Sequence, residues 1–359
     1  MSLKETFIKD FNIEKIKLSP SSLNLLNKII QSVREIQIPK IQRITIENII
    51  RGKMWIHIPQ KIQEKIETLN TSSLYRLSIH KKTFQIYFFG GSLKEHNQSI
   101  VLIYKYLFFI LPYCPIQCGN DLIVYIYFSR EKKTLPNETS SIIDVINVNS
   151  AFTTSCVANT LQEITIFRKE EWFKVFIHET FHVFGLDFSG MSSINSDKYL
   201  RENFHLLSSG NYRIYESYCE ISAEVLNILF YVSITERNLE ECLSLEKTFS
   251  LFQWKKILDY NGVDAIDLTH YRENSSVFSY YGLKSVGLYF LDDFIRNFWI
   301  TDQRDISFVF KKTQLNIMEY CRFFGERFYK KKYLQSLSSI KNTTNEPLKK
   351  SLRMTLIEI

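Results

Sequence analysis

Two histidines four residues apart, His178 and His182, enclose a glutamate, Glu179, in the run His178-Glu179-Thr180-Phe181-His182. On a helix, positions i and i+4 share a face, so both imidazoles can reach one metal ion. Glu179 then points to the side, towards a water on that metal rather than the metal itself. This spacing is that of a zinc-binding, hydrolytic motif. The chain has only 7 histidines, so two of them around one glutamate in an apolar stretch carry information. Burying two imidazoles and a carboxylate without a metal would leave polar groups unsatisfied at a cost of several kcal/mol.

The flanks predict the helix this chemistry needs. Residues 169–185 read KEEWFKVFIHETFHVFG, with apolar Trp172, Val175, Phe176, Phe181 and Phe184 at helical spacing. Glu170 and Glu171 suit the positive end of the helix dipole, and Gly185 sits where a helix would stop. A helix that closes just past the motif lets the next segment turn back and deliver further ligands. The stretch 215–230, YESYCEISAEVLNILF, predicts a second helix with Glu216, Glu220 and Glu224 on one face. Like charges at that spacing repel. A metal and the histidines around it would convert the repulsion into binding.

With these residues the chain resembles the zincin metallopeptidases. Where a metzincin carries its third histidine this chain has Phe188, and Asp187, one residue early, is a minor alternative ligand. The string Glu216-Ser217-Tyr218-Cys219-Glu220 is similar to the third-ligand segment of the gluzincins, although Ser217 stands where glycine is common. The resemblance implies one Zn2+ per chain held by His178, His182 and Glu216. Glu220 would accept a hydrogen bond from the far nitrogen of a ligand histidine, and is itself the alternative third ligand. It implies a peptide or protein substrate, water activated by zinc, and Glu179 as general base. An oxyanion donor is also required, and Tyr280 and Tyr281 in SVFSYYGLK are the expected source, with His205 and His270 as alternatives. A different function class, a catalytically inactive zincin-fold structural or peptide-binding protein, is disfavoured by the intact Glu179.

The implied fold is α+β and zincin-like, with an upper mixed β-sheet subdomain carrying the motif helix and a lower, mainly α-helical subdomain. Patterns along the chain predict strands at 83–89, 122–128, 151–156 and 163–168, and a helix at about 93–111. By family position, the segment around Asn149–Thr154 is the expected edge strand above the metal, able to pair with an extended peptide. Helical patterns also occur near 21–36, 59–69, 239–260, 277–298 and 313–337. The expected divisions are 1–80, mixed and of unknown role; 81–190, the upper subdomain; 191–340, the lower subdomain; and 341–359, a basic tail.

Composition bounds the rest. Apolar residues at 45% and charged residues at 23% indicate a globular chain rather than a disordered one. The net charge of +7 is spread out; its densest clusters, Arg327 with Lys330, Lys331 and Lys332, and Lys349 with Lys350, read as solvated surface. No nucleic-acid-binding motif appears. The apolar run Ile100–Cys114 is interrupted by Lys105 and Pro112 and reads as a buried helix, not a membrane span. The 6 cysteines show no disulfide framework, and the N-terminus lacks the features of a signal peptide. Those two features place the expected location in a reducing compartment, the cytoplasm.

Overall fold

Strand-forming runs assemble into one six-stranded sheet in this computed structural model, which describes residues 2–138, 140–158, 160–207, 210, 212–301 and 305–359. The strands are β1 (Arg43–Thr45), β2 (Ser72–Ile79), β3 (Lys82–Phe89), β4 (Asp121–Tyr127), β5 (Ala151–Thr153) and β6 (Leu161–Ile166), in the spatial order β1-β2-β3-β4-β6-β5. β3, β4 and β6 run parallel, whereas β1, β2 and β5 are antiparallel to their neighbours. The helix Leu93–Ile110 makes the crossover that the parallel β3–β4 pair requires. It holds most of the apolar run Ile100–Cys114. Among the described residues no helix is long and apolar enough to cross a membrane.

Alternation along β4 shows how the sheet is covered. Leu122, Val124 and Ile126 enter the main core, which extends through the helical half of the molecule. Tyr125 and Tyr127 face a smaller core with Trp55, Ile58, Ile62 and Ile66. The fold is therefore mixed α+β, and residues before 80 belong to it. They supply β1, β2 and the cover over the sheet's second face, and the helix Pro20–Glu35 packs on the later helix Ile214–Thr235. The β2–β3 hairpin has no glycine or asparagine at its turn: His80 and Lys81 take φ of 50° and 65° instead. Two-residue hairpins that need positive φ usually announce themselves with Asn-Gly, so this one left no signal.

The region expected as a basic tail is also different. After a short helix, Glu346–Lys350, the side chains of Leu352, Met354, Leu356 and Ile357 are buried. A buried extended backbone must find hydrogen-bond partners. Here the Glu171 carboxylate accepts the N–H groups of Met354 and Thr355, and Glu246 accepts those of Leu356 and Ile357. The 351–358 segment is thus an internal strap, and the exposed lysines Lys341, Lys349 and Lys350 precede it. In the other basic cluster Lys330, Lys331 and Lys332 are exposed, as expected, whereas Arg327 pairs with Asp293 at 2.9 Å and lies over the Phe323 ring.

Two cysteines correct the expectation of no disulfide. Cys118, in the loop before β4, is bonded to Cys156, just past β5. Only the sheet brings these positions together. Such a crosslink persists in oxidising surroundings, which runs against the expected reducing cytoplasm. The helical pattern over 277–298 resolves into a π-helical turn, Phe278–Leu283, followed by helices Lys284–Tyr289 and Leu291–Phe298.

Glu273 lies just before that turn, half-buried, with its carboxylate turned away from solvent. Tyr271 Oη and the Phe278 N–H donate to one carboxylate oxygen, and the other oxygen has no partner. Burial pushes its carboxyl up from 4.5 to about 8. In the unfolded chain the group ionises near the lower value, so across this window unfolding releases a proton and stability falls as pH rises. Glu273→Gln is expected to flatten the fall in denaturant-unfolding free energy between about pH 5 and about pH 8. An unchanged slope in the variant would contradict the assignment.

Candidate metal centre

The motif helix runs from Trp172 to Val183, and all of its residues are buried. It ends as its sequence suggests. Gly185, at φ 61°, turns the chain, and its N–H and that of Leu186 return to the carbonyls of His182 and Phe181. A side chain at 185 would also meet the disulfide, with Cys118 Sγ 3.0 Å from an ideal Cβ. The Cys156 N–H donates to His182 O, so the crosslink is attached to the C-terminal end of this helix.

The helix Ile214–Thr235 packs against the motif helix and carries the three acids. None is solvated. Glu216 Oε2 lies 3.1 Å from His178 Nε2 and 3.4 Å from His182 Nε2. Zinc bonds of about 2.0–2.1 Å at tetrahedral angles set neighbouring ligand atoms about 3.3 Å apart, which these separations match. Glu220 Oε2 lies 3.0 Å from His178 Nδ1, and Asp187 Oδ2 lies 2.6 Å from His182 Nδ1. With a carboxylate on each Nδ1, that nitrogen carries the proton and each Nε2 presents a lone pair to the common point. Burial opposes charge on both imidazoles, but Glu216 and Glu220 hold His178 above its ordinary value, and Cys219 with Asp187 and Glu216 holds His182 above its own. For Glu216, too, burial is outweighed by the imidazoles, and the carboxyl is held well below its usual range.

Among the described residues, two buried groups of side chains could hold a metal ion: His178, His182 and Glu216, and His182, Asp187 and Cys219. The first fits zinc better. The second uses His182 Nδ1, already at hydrogen-bond distance from Asp187, and a thiol that burial pushes well above its ordinary value. A thiol must ionise to become a ligand. Asp187 is therefore placed as the partner that orients His182, brought back by the turn at Gly185.

These groups lie at the bottom of a cleft of about 440 Å³. Glu179 lines it, and burial raises its carboxyl above the ordinary value. Tyr280 lines it as well, on the π-helical turn, its ring 5.9 Å from that of His178. Burial, with the charges of Glu216 and Glu179, keeps its hydroxyl protonated far above neutral pH. Tyr281 is elsewhere: its hydroxyl donates to Leu352 O and it does not line the cleft. His205 and His270 are exposed and also absent from the cleft. Residues 149–153 form one wall, and β5 there is the last strand of the sheet, as expected for the edge.

Several contributors were not legible beforehand. Tyr215 packs its ring 6.0 Å from that of His182, and burial pushes its hydroxyl up to about 12. Its only signal was adjacency to Glu216. Lys174, Lys133 and Met354 also line the cleft. Lys174 precedes His178 by one helical turn, which could have drawn notice, but Met354 arrives from the far end of the chain.

The chain matches no family model, no curated protein and no solved structure.

Purified protein is expected to retain one zinc per chain in elemental analysis. Glu216→Ala should weaken retention in chelator competition by more than the about 10–100-fold typical of losing an outer partner. Cys219→Ala should leave it unchanged. If Cys219→Ala loses the metal and Glu216→Ala keeps it, the ion belongs to the second group.

Proposed function

We propose that this chain is a zinc-dependent peptidase of gluzincin type, with His178, His182 and Glu216 as ligands and Glu179 as general base. The observation that carries this reading is the convergence of both Nε2 atoms on one oxygen of Glu216 at the bottom of the cleft, with Glu179 beside them. A mixed sheet whose edge strand borders the cleft, with a helical half opposite, supports a zincin-like arrangement.

Zinc held by these residues supplies the Lewis acidity that makes a water nucleophilic near neutral pH and polarises a scissile carbonyl. The chain's own groups do the rest. Glu179 takes the proton of the attacking water and hands it to the leaving amine. Its raised affinity for a proton suits that shuttle, since an ordinary carboxylate is a weaker base. Tyr280 keeps its proton and donates it as a hydrogen bond to the oxygen that gains charge. Among the described residues the outer edge of β5 has no partner strand, so an extended peptide can pair there through its backbone.

Zinc-loaded protein is expected to cleave members of an unbiased peptide library. Glu179→Gln should lower the rate by about 100-fold or more while zinc stays bound. Folded, zinc-loaded protein that cleaves nothing would sink the reading. Tyr280→Phe should lower kcat by about 100-fold with little change in KM, and Tyr281→Phe should leave kcat near that of the parent. Equal losses in the two variants would remove Tyr280 from its assigned role.

A further inference from the structure

Glu220 has two oxygens with different duties. Oε2 holds His178 Nδ1 at 3.0 Å. Oε1 is gripped by two ammonium groups, Lys174 Nζ from the motif helix and Lys284 Nζ, the latter at 3.3 Å. All three side chains are almost completely shielded from solvent. Lys284 also binds Glu224 Oε2 at 2.6 Å and the Met354 carbonyl, and Lys174 Nζ touches Met354 Sδ at 3.5 Å. A carboxylate on a buried helix can rotate about its terminal bonds unless both oxygens are held. One hydrogen bond to an imidazole fixes a distance, whereas contacts to opposite oxygens fix a plane.

We infer that Lys174 and Lys284 are positioning residues of the metal centre: by clamping Oε1 of Glu220 they orient Oε2, and through it the His178 ring. The inference rests on the metal reading above. The clamp comes from three directions. Lys174 enters from the motif helix one turn before His178. Lys284 enters from the helix that follows the π-helical turn bearing Tyr280. The 351–358 strap closes it, because its carbonyl at Met354 takes another hydrogen bond of Lys284. The imidazole that aims at the metal is thereby tied to the element that carries Tyr280 and to a segment about 140 positions further along the sequence than Glu216 (354 against 216). Neither lysine touches the metal position, so neither is a catalytic residue.

A set of variants tests this by zinc affinity from chelator competition and by the visible absorption of the Co2+-substituted protein. Neither readout depends on peptidase activity. Lys174→Met keeps the length of the side chain and removes its charge. It is expected to weaken zinc binding by about 10-fold or more and to shift the Co2+ bands, which report ligand geometry. Glu220→Gln should give a loss of similar or greater size. If the lysine works through Glu220, Lys174→Met added to Glu220→Gln costs no further affinity. Lys284→Met should behave in the same way, and Lys174→Gln serves should a Met variant fail to fold. Unchanged affinity and Co2+ bands in Lys174→Met would overturn the inference alone. Losses that multiply in the double variant would overturn it too, since they would mean the lysine acts by another route. A wild-type protein that binds no zinc would instead overturn the metal reading on which the inference stands.

Discussion

Everything around the centre depends on keeping charge buried between two packed helices. Glu216, Glu220, Glu224, Lys174 and Lys284 are all inside, together with two imidazoles. Taking an ion out of water costs several kcal/mol even after relaxation, and an ion pair repays this only with good geometry and full hydrogen bonding. Apolar residues of similar volume would often serve stability as well or better. The array is therefore poorly explained as a stabilising device. It is better explained by what it holds, a row of carboxylates at i, i+4 and i+8 whose mutual repulsion is cancelled by ligands and lysines in alternation. Glu216 meets the histidines, Glu220 meets one histidine and two lysines, and Glu224 meets the second lysine alone.

That gradation explains why the centre was more legible than its surroundings. His178, Glu179 and His182 declare themselves by local spacing, and the three acids by helical period, so one-dimensional patterns suffice. The helix ends follow from Gly185, and the main strands from β-branched and aromatic runs. What stayed hidden depends on long-range or atypical geometry. β2 was missed because its hairpin uses His80 and Lys81 at positive φ without the usual residues. The internal strap was missed because Lys349 and Lys350 dominate its sequence, whereas its burial depends on Glu171 and Glu246 reaching its backbone. The Cys118–Cys156 bond joins loops that only the sheet makes neighbours. Tyr280 and Tyr281 are equivalent as letters, and only the π-helical turn decides which one faces the cleft and which one ties down the strap.

The two motif histidines are supported by different means, and the difference has a mechanical consequence. His182 is oriented locally: Asp187 is five positions away, carried back by the glycine turn, and Ser189 Oγ donates to its other oxygen at 3.1 Å. The disulfide beneath Gly185 stiffens the same corner. His178 is oriented remotely, through Glu220, by groups from the motif helix, from the helix after the π-helical turn and from the strap. A disturbance near the turn at 185 should therefore stay confined to His182. A disturbance of the strap reaches His178 and Tyr280 together, because Lys284 and Tyr281 both bind its carbonyls and both lie on, or directly after, the turn that carries Tyr280. One half of the centre is set by short-range turn chemistry. The other is set by the closure of the whole helical half around it, so correct placement of the face of the motif helix that carries His178 is coupled to completion of the fold.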